Sequence, residues 1–212
     1  MEKTIVILAN SVKHKNHCVA GKCVETKEWI RPVADKNGKE LSHEQAKYKN
    51  KYGTYSVKPL QKIKMSLQSK VSLINQPENY LIDTKIWEQS FSIDRKDLDI
   101  YLDKPANLWG TENRIDFDKI EKKEIIIQQS LYLIKIEELK LQKIQDPFDS
   151  DKYKRKGKFN YNKIEYELPV TDPNFDNLIG DKNEIILKDK YLCISLGEKF
   201  DGFCYKLVAT II

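Results

Sequence analysis

A mostly β chain with short helices, built as two five-stranded OB-like barrels joined by a helical connector, is what three observations predict. Short runs of alternating Val, Ile, Tyr and Thr fill both ends of the chain. The order β-β-β-α-β-β can be read in each half, and it is the order of the OB-fold, a small Greek-key barrel with its helix between strands three and four. The stretch from Gln76 to Ile127 breaks that pattern with helix-start signals. The predicted parts are an N-terminal barrel over 1–78, a connector over 79–127 and a C-terminal barrel over 128–212.

The elements follow in order. Alternation marks strands at Thr4–Ala9, Cys18–Glu25 and Glu28–Val33. In "SHEQAKYKN" Ser42 can cap and Gln45 can answer three residues later, which predicts a short helix ending near Gly53. Strands are expected around Val57–Ser66 and Val71–Asn75. In the connector, Asp83 precedes Ile86 and Trp87, and Asp94 precedes Leu98 and Tyr101 with Pro105 as a stop, so both read as helix starts. Leu131–Ile144, Lys158–Asn162 and Glu165–Val170 read as strands, and Asp172–Leu178 as a short helix with Pro173 in its first turn. Tyr191–Leu196 and Phe203–Ile211 close the chain as a hairpin across "GEKFDG".

Composition narrows the class. With 212 residues, 40% hydrophobic and 33% charged, the chain is long enough to bury a core without disulfides. Ile5–Ala9 is too short for a membrane span or a signal peptide, so a cytoplasmic protein is expected. Four cysteines with no C-x-x-C pair suit a reducing compartment. The net charge of +5 fits a polyanionic partner without requiring one, because a chain rich in Lys, Ile and Asn carries many lysines as plain solvated surface.

Seven stretches, "IVILANSVKH", "CVAGK", "WIRPV", "QPENYLI", "VTDP", "SLGE" and "YKLVATII", together resemble a bacterial family of dual OB-containing domain proteins. The resemblance spans nearly the whole chain. It implies a nucleic-acid-related role through the fold and carries over no catalytic residue. His17 stands where the resemblance leads one to expect Arg.

An OB barrel binds across strands two and three, flanked by the loop after strand one and the loop between strands four and five. The first of these loops is Ser11–His17 in one half, carrying Lys13, His14 and Lys15 and preceded by Asn10. In the other it is Gln145–Gly157, with Lys152, Tyr153, Lys154, Arg155 and Lys156, followed by Lys158. Clustered cations interleaved with aromatics are what a single strand needs, since phosphates and bases are held together. Tyr161 shares a strand face with Phe159, and the pair either lines a ligand face or fills the barrel. Trp29 and Arg31 share a face in "EWIRPV". Arg31 either holds a phosphate or forms an ordinary salt bridge.

Metal and enzyme readings are weaker. H-x-x-H-C-x-x-x-x-C is not a standard spacing, and the odd separation of Cys18 and Cys23 sends their side chains to opposite strand faces, so neither a metal nor a cofactor is expected. Cys193 and Cys204 lie on neighbouring strands and could face each other. "AGK" lacks the first glycine of a phosphate loop, and no nucleophile elbow occurs. "DFD" at Asp116–Asp118 is either solvated surface or a divalent-ion site. The reading is thus a non-enzymatic module for single-stranded or modified DNA or RNA, in DNA processing or anti-phage defence on the resemblance alone. Two alternatives stay open: an enzyme or sensor for a nucleotide-sized ligand held between the barrels by Asn10, Lys13, Arg31 and a cysteine, and a protein-interaction scaffold.

Overall fold

The structure is a computed structural model that describes residues 1–13, 16–146 and 149–212. Two compact units divide it. One holds Met1–Leu102 with Ile126–Ser130, and the other holds Asp103–Ile125 with Leu131–Ile212.

In the first unit the strands are β1 (Glu2–Lys13), β2 (Asn16–Cys23), β3 (Trp29–Val33), β4 (Lys47–Asn50), β5 (Gly53–Ser56), β6 (Gln61–Lys70), β7 (Asn79–Ile82) and β8 (Trp87–Ser92). Five of them close a ring, β1-β2-β3-β7-β6, because β1 pairs with both β2 and β6. The β3–β7 contact is parallel and the other ring contacts are antiparallel, which is the OB strand order. Ile5, Ile7, Ile30, Ile63, Met65 and Trp87 fill the interior, each at most 5% exposed.

Three local expectations change here. Ser42 and Gln45 do exchange the predicted capping bonds, Gln45 N–H to Ser42 Oγ at 3.3 Å and Ser42 N–H to Gln45 Oε1 at 2.9 Å, but they cap one turn only. The chain then leaves as the β4–β5 hairpin, because the lysine and tyrosine positions in "KYKNKYGTY" alternate with the period of a strand. Fifth-strand pairing falls on Asn79–Ile82 rather than Val71–Asn75, with Gly38 fitted against Asn79. Trp87–Ser92, expected as helix, is strand β8, since Trp87 is buried opposite Tyr48. The Asp94 signal does start a helical turn, a 3-10 helix over Arg95–Tyr101.

The second unit contains β9 (Arg114–Asp116), α1 (Phe117–Glu121), β10 (Leu131–Asp146), β11 (Asp149–Tyr161), β12 (Ile164–Pro169), α2 (Phe175–Ile179), β13 (Glu184–Phe200) and β14 (Phe203–Ile211). Its sheet runs β12-β11-β10-β13-β14-β9, a half-barrel in the same OB order. The parallel contact between strands three and five survives as one bridge, Val170 with Val208, and the Thr171 N–H to Val208 O bond of 2.9 Å. Helix α2 lies between strands three and four, as predicted. Asp116 caps α1 by accepting the Asp118 N–H at 2.9 Å, so the first acid of "DFD" has a structural partner.

Candidate nucleic-acid interface

The predicted residues of the first barrel are mostly built into it. Asn10 is half-buried; its Nδ2 donates to Val57 O at 2.8 Å and its Oδ1 meets His17 Nδ1 at 2.9 Å. Trp29 is 5% exposed, with Lys22 Nζ 5.2 Å from its ring. Arg31 takes the salt-bridge option: its guanidinium lies 3.3 Å from Glu78 Oε1 and donates to Ser130 Oγ at 2.9 Å. Ser130 also bonds Glu78 through its hydroxyl and its backbone N–H. Lys13 pairs through its backbone with Asn16, while its side chain, His14 and Lys15 lie outside the described residues. Hence Asn10, Trp29 and Arg31 are each held by partners within the first unit.

In the second unit the basic run is strand, where a loop was expected. β11 begins at Asp149, and its alternation sorts the run into two faces. Tyr153, Arg155, Phe159 and Tyr161 point to one side. Tyr153 OH and Arg155, at 2.6 Å, both bond the Asp176 carboxylate on α2, and Lys143, across from Arg155, approaches it at 3.8 Å. Phe159 is core at 2% exposure, and Tyr161 OH donates to Pro105 O at 3.0 Å. Phe159 therefore belongs to the core, and Tyr161 packs half-buried against it.

The opposite face of β11 carries Lys152, Lys154, Lys156 and Lys158 at every second position, ~6.7 Å apart. Lys152 pairs with Asp149 at 2.7 Å, Lys156 with Glu167 at 3.1 Å and Lys158 with Glu165 at 3.0 Å. Lys154 has no acid partner among the described residues and stands opposite Ile144, itself 40% exposed. Exposed pairs of this kind contribute about 0–1 kcal/mol each, so a phosphate can displace a carboxylate at little cost. The face is the strand-two and strand-three surface on which OB barrels take ligands.

The turn between β13 and β14, the strand four–five loop of the same barrel, holds residues that the sequence reading passed over. Phe200 is 73% exposed, and Arg114 lies 3.8 Å from the Phe203 ring while donating to Tyr205 OH at 3.2 Å. Two phenylalanines flanking "DG" were the available signal. In the first unit a groove of about 730 Å³ opens beside Trp87. Its acids are already engaged: Asp35 accepts two backbone N–H groups, Asp83 bonds Ser66 and the Lys85 N–H, and Glu44 pairs with Lys47.

Among the described residues no group of His, Cys, Asp and Glu is placed to hold a metal ion, and the four cysteines form no disulfide. Cys193 stands opposite Thr210 and Cys204 opposite Lys199, so the two do not face each other, because a hairpin that turns at Asp201–Gly202 sets them six residues apart along the ladder. No helix among the described residues is long and apolar enough to cross a membrane.

No curated protein matches the chain. The sequence profile of the dual OB-containing domain matches residues 3–211. A closed OB ring and an OB-ordered half-barrel in one chain are the two folds that this description names, and the chain belongs to the family of dual OB-containing domain proteins.

Proposed function

We propose that the chain is a non-enzymatic module that binds single-stranded nucleic acid across the outer face of β11 and β12. The observation that supports this most directly is the row of lysines at alternate positions of the second OB strand, on the face such barrels use. The row matches a repeating anion, and its carboxylate partners are exposed and exchangeable. Lys154 offers a charge with no acid partner among the described residues. The Phe200 ring on the strand four–five turn offers a π-face for a base. The module acts in DNA processing or anti-phage defence under this reading, and its cellular place is the cytoplasm.

Titration of labelled single-stranded DNA, single-stranded RNA and duplex tests it. Arg155 holds Asp176, so the informative variant is Lys154/Lys156/Lys158→Ala, which spares that contact. Single strands should bind with a steep salt dependence, and the triple variant should bind more weakly with a log–log slope shallower by about 2, near 0.7 per lost phosphate contact. Absence of binding at low salt, or a triple variant that binds like wild type, overturns the proposal.

A further inference from the structure

We propose that the sheet flanking the first barrel is a second surface for single-stranded nucleic acid, centred on Tyr52 and Phe91; this rests on the nucleic-acid reading above. Strands β8, β4 and β5 extend outward from β6, in the order β6-β8-β4-β5. β4 and β8 run parallel, with Tyr48 opposite Trp87 and Lys49 opposite Glu88, and Asn50 Nδ2 donates to Gln89 Oε1 at 3.2 Å. Parallel pairing brings the β4–β5 turn to the end of the sheet that carries Phe91. The inner face is closed by Tyr48 and Trp87, both buried, and Gln61 Nε2 bonds Tyr48 OH at 2.9 Å. That anchoring fixes the inner face against the barrel and leaves the outer face to solvent.

The outer surface is unusual for a solvated sheet. Tyr52 is 75% and Phe91 73% exposed. Lys51 Nζ stands 4.7 Å from the Tyr52 ring centroid, and Tyr55 OH donates to Tyr52 O at 3.1 Å, which holds the turn. Phe91 lies directly across from Lys62. The four strands carry Lys47, Lys49, Lys62, Lys64 and Lys70 against one acid of their own, Glu88, while Glu44 and Glu2 from outside them pair with Lys47 and Lys64. Lys49, Lys51 and Lys62 have no carboxylate partner among the described residues.

Charge complementarity selects the occupant. Lysine is depleted at protein–protein interfaces, and Tyr52 and Phe91 are separated by Lys, Asn, Gln and Ser rather than joined in one apolar patch. A single strand supplies both what the ammonium groups lack and what the rings accept, a phosphate and a base face. Duplex keeps its bases stacked inward and gains only the charge term.

Three variants of the full chain test the surface against a labelled oligothymidylate: Tyr52→Ala/Phe91→Ala, Lys49→Glu/Lys51→Glu, and the β11 triple variant as a reference. Thermal unfolding establishes that each is folded. The aromatic variant should lose about tenfold in affinity with an unchanged salt slope, and the charge variant should lose affinity with a shallower slope. Photocrosslinking of wild type to a bromouridine-substituted strand, with the adducts mapped by mass spectrometry, should mark the Tyr52 or Phe91 peptide without any substitution. If wild type binds, the β11 variant weakens binding and the hairpin variants do not, the second surface is overturned while the β11 reading stands. Loss only in the hairpin variants upholds this surface and overturns the β11 site. Equal binding of polyglutamate and oligothymidylate overturns the nucleic-acid occupant.

Discussion

Single side chains carry the sharpest consequences. Lys206 is fully buried in the second unit, its Nζ donating to Gly110 O at 2.8 Å, and burial pulls its pKa down to about 8. The unfolded chain keeps the proton up to the ordinary value of 10.5, so the charged lysine costs the fold on the order of 3 kcal/mol below pH 8. Lys206→Met should therefore raise the urea midpoint, with Gly110 O still bonded by Tyr166 OH, and the gain should shrink as pH rises from 8 toward 10.5. His17 behaves in the opposite pH range. Burial first, and then the neighbouring His43, hold its pKa below 6.5, so the unfolded chain takes the proton before the folded one does. Stability should be full above pH 6.5 and decline as pH falls through the lower folded value; His17→Gln should flatten that decline in acid denaturation curves. Arg31 and Glu78 form a buried pair, and removing one partner strands the other charge. Glu78→Gln should cost about 3–5 kcal/mol in chemical unfolding, whereas Arg31→Met/Glu78→Leu should recover much of it.

Elements show where local pattern and tertiary context disagree. Strand β11 was legible only from Lys158 onward, because a run of five cations among seven residues reads as a solvated loop when charge alone is weighed. Its alternation was nonetheless present: Tyr153, Arg155 and Gly157 face α2 and the core, while the lysines face out. Asp176 makes that assignment physical by gathering Tyr153, Arg155 and Lys143 from two strands onto one helix. The site is partly exposed, so Asp176→Ala should cost only about 1–2 kcal/mol, readable as a shift in thermal midpoint. The segment after Ser42 shows the reverse case. Its capping box formed as predicted, yet a capping box starts a turn without specifying its length, and "KYKNKYGTY" lacks the apolar period of 3.6 that would extend a helix. The first-barrel candidates show a related effect: Asn10, Trp29 and Arg31 have the chemistry of ligand residues, and each also has an internal partner that no local pattern announces.

Across the whole molecule the chain enters the first unit twice, since Ile126–Ser130 belongs to it although Asp103–Ile125 does not. Ser130 is the return point, bonded to both Arg31 and Glu78. A fragment ending at residue 130 should keep that network, whereas one ending at 102 should lose about 2–3 kcal/mol of first-unit stability in urea titrations. Class and element order are encoded locally: strand periodicity, a helix signal between strands three and four in each half, and family motifs from Ile5 to Ile212 identify two OB units, because these features are written within short windows. Long-range packing sets the rest: one barrel closes through β1–β6 while the other stays a half-barrel bridged at Val170 and Val208. The same packing sorts the cations that pair with internal carboxylates from those that face solvent beside exposed rings. Ring closure joins residues 56 to 64 positions apart, the Arg31–Glu78 ion pair spans 47 and the Arg31–Ser130 bond 99, and such contacts depend on the geometry of the whole barrel rather than on any neighbouring residue.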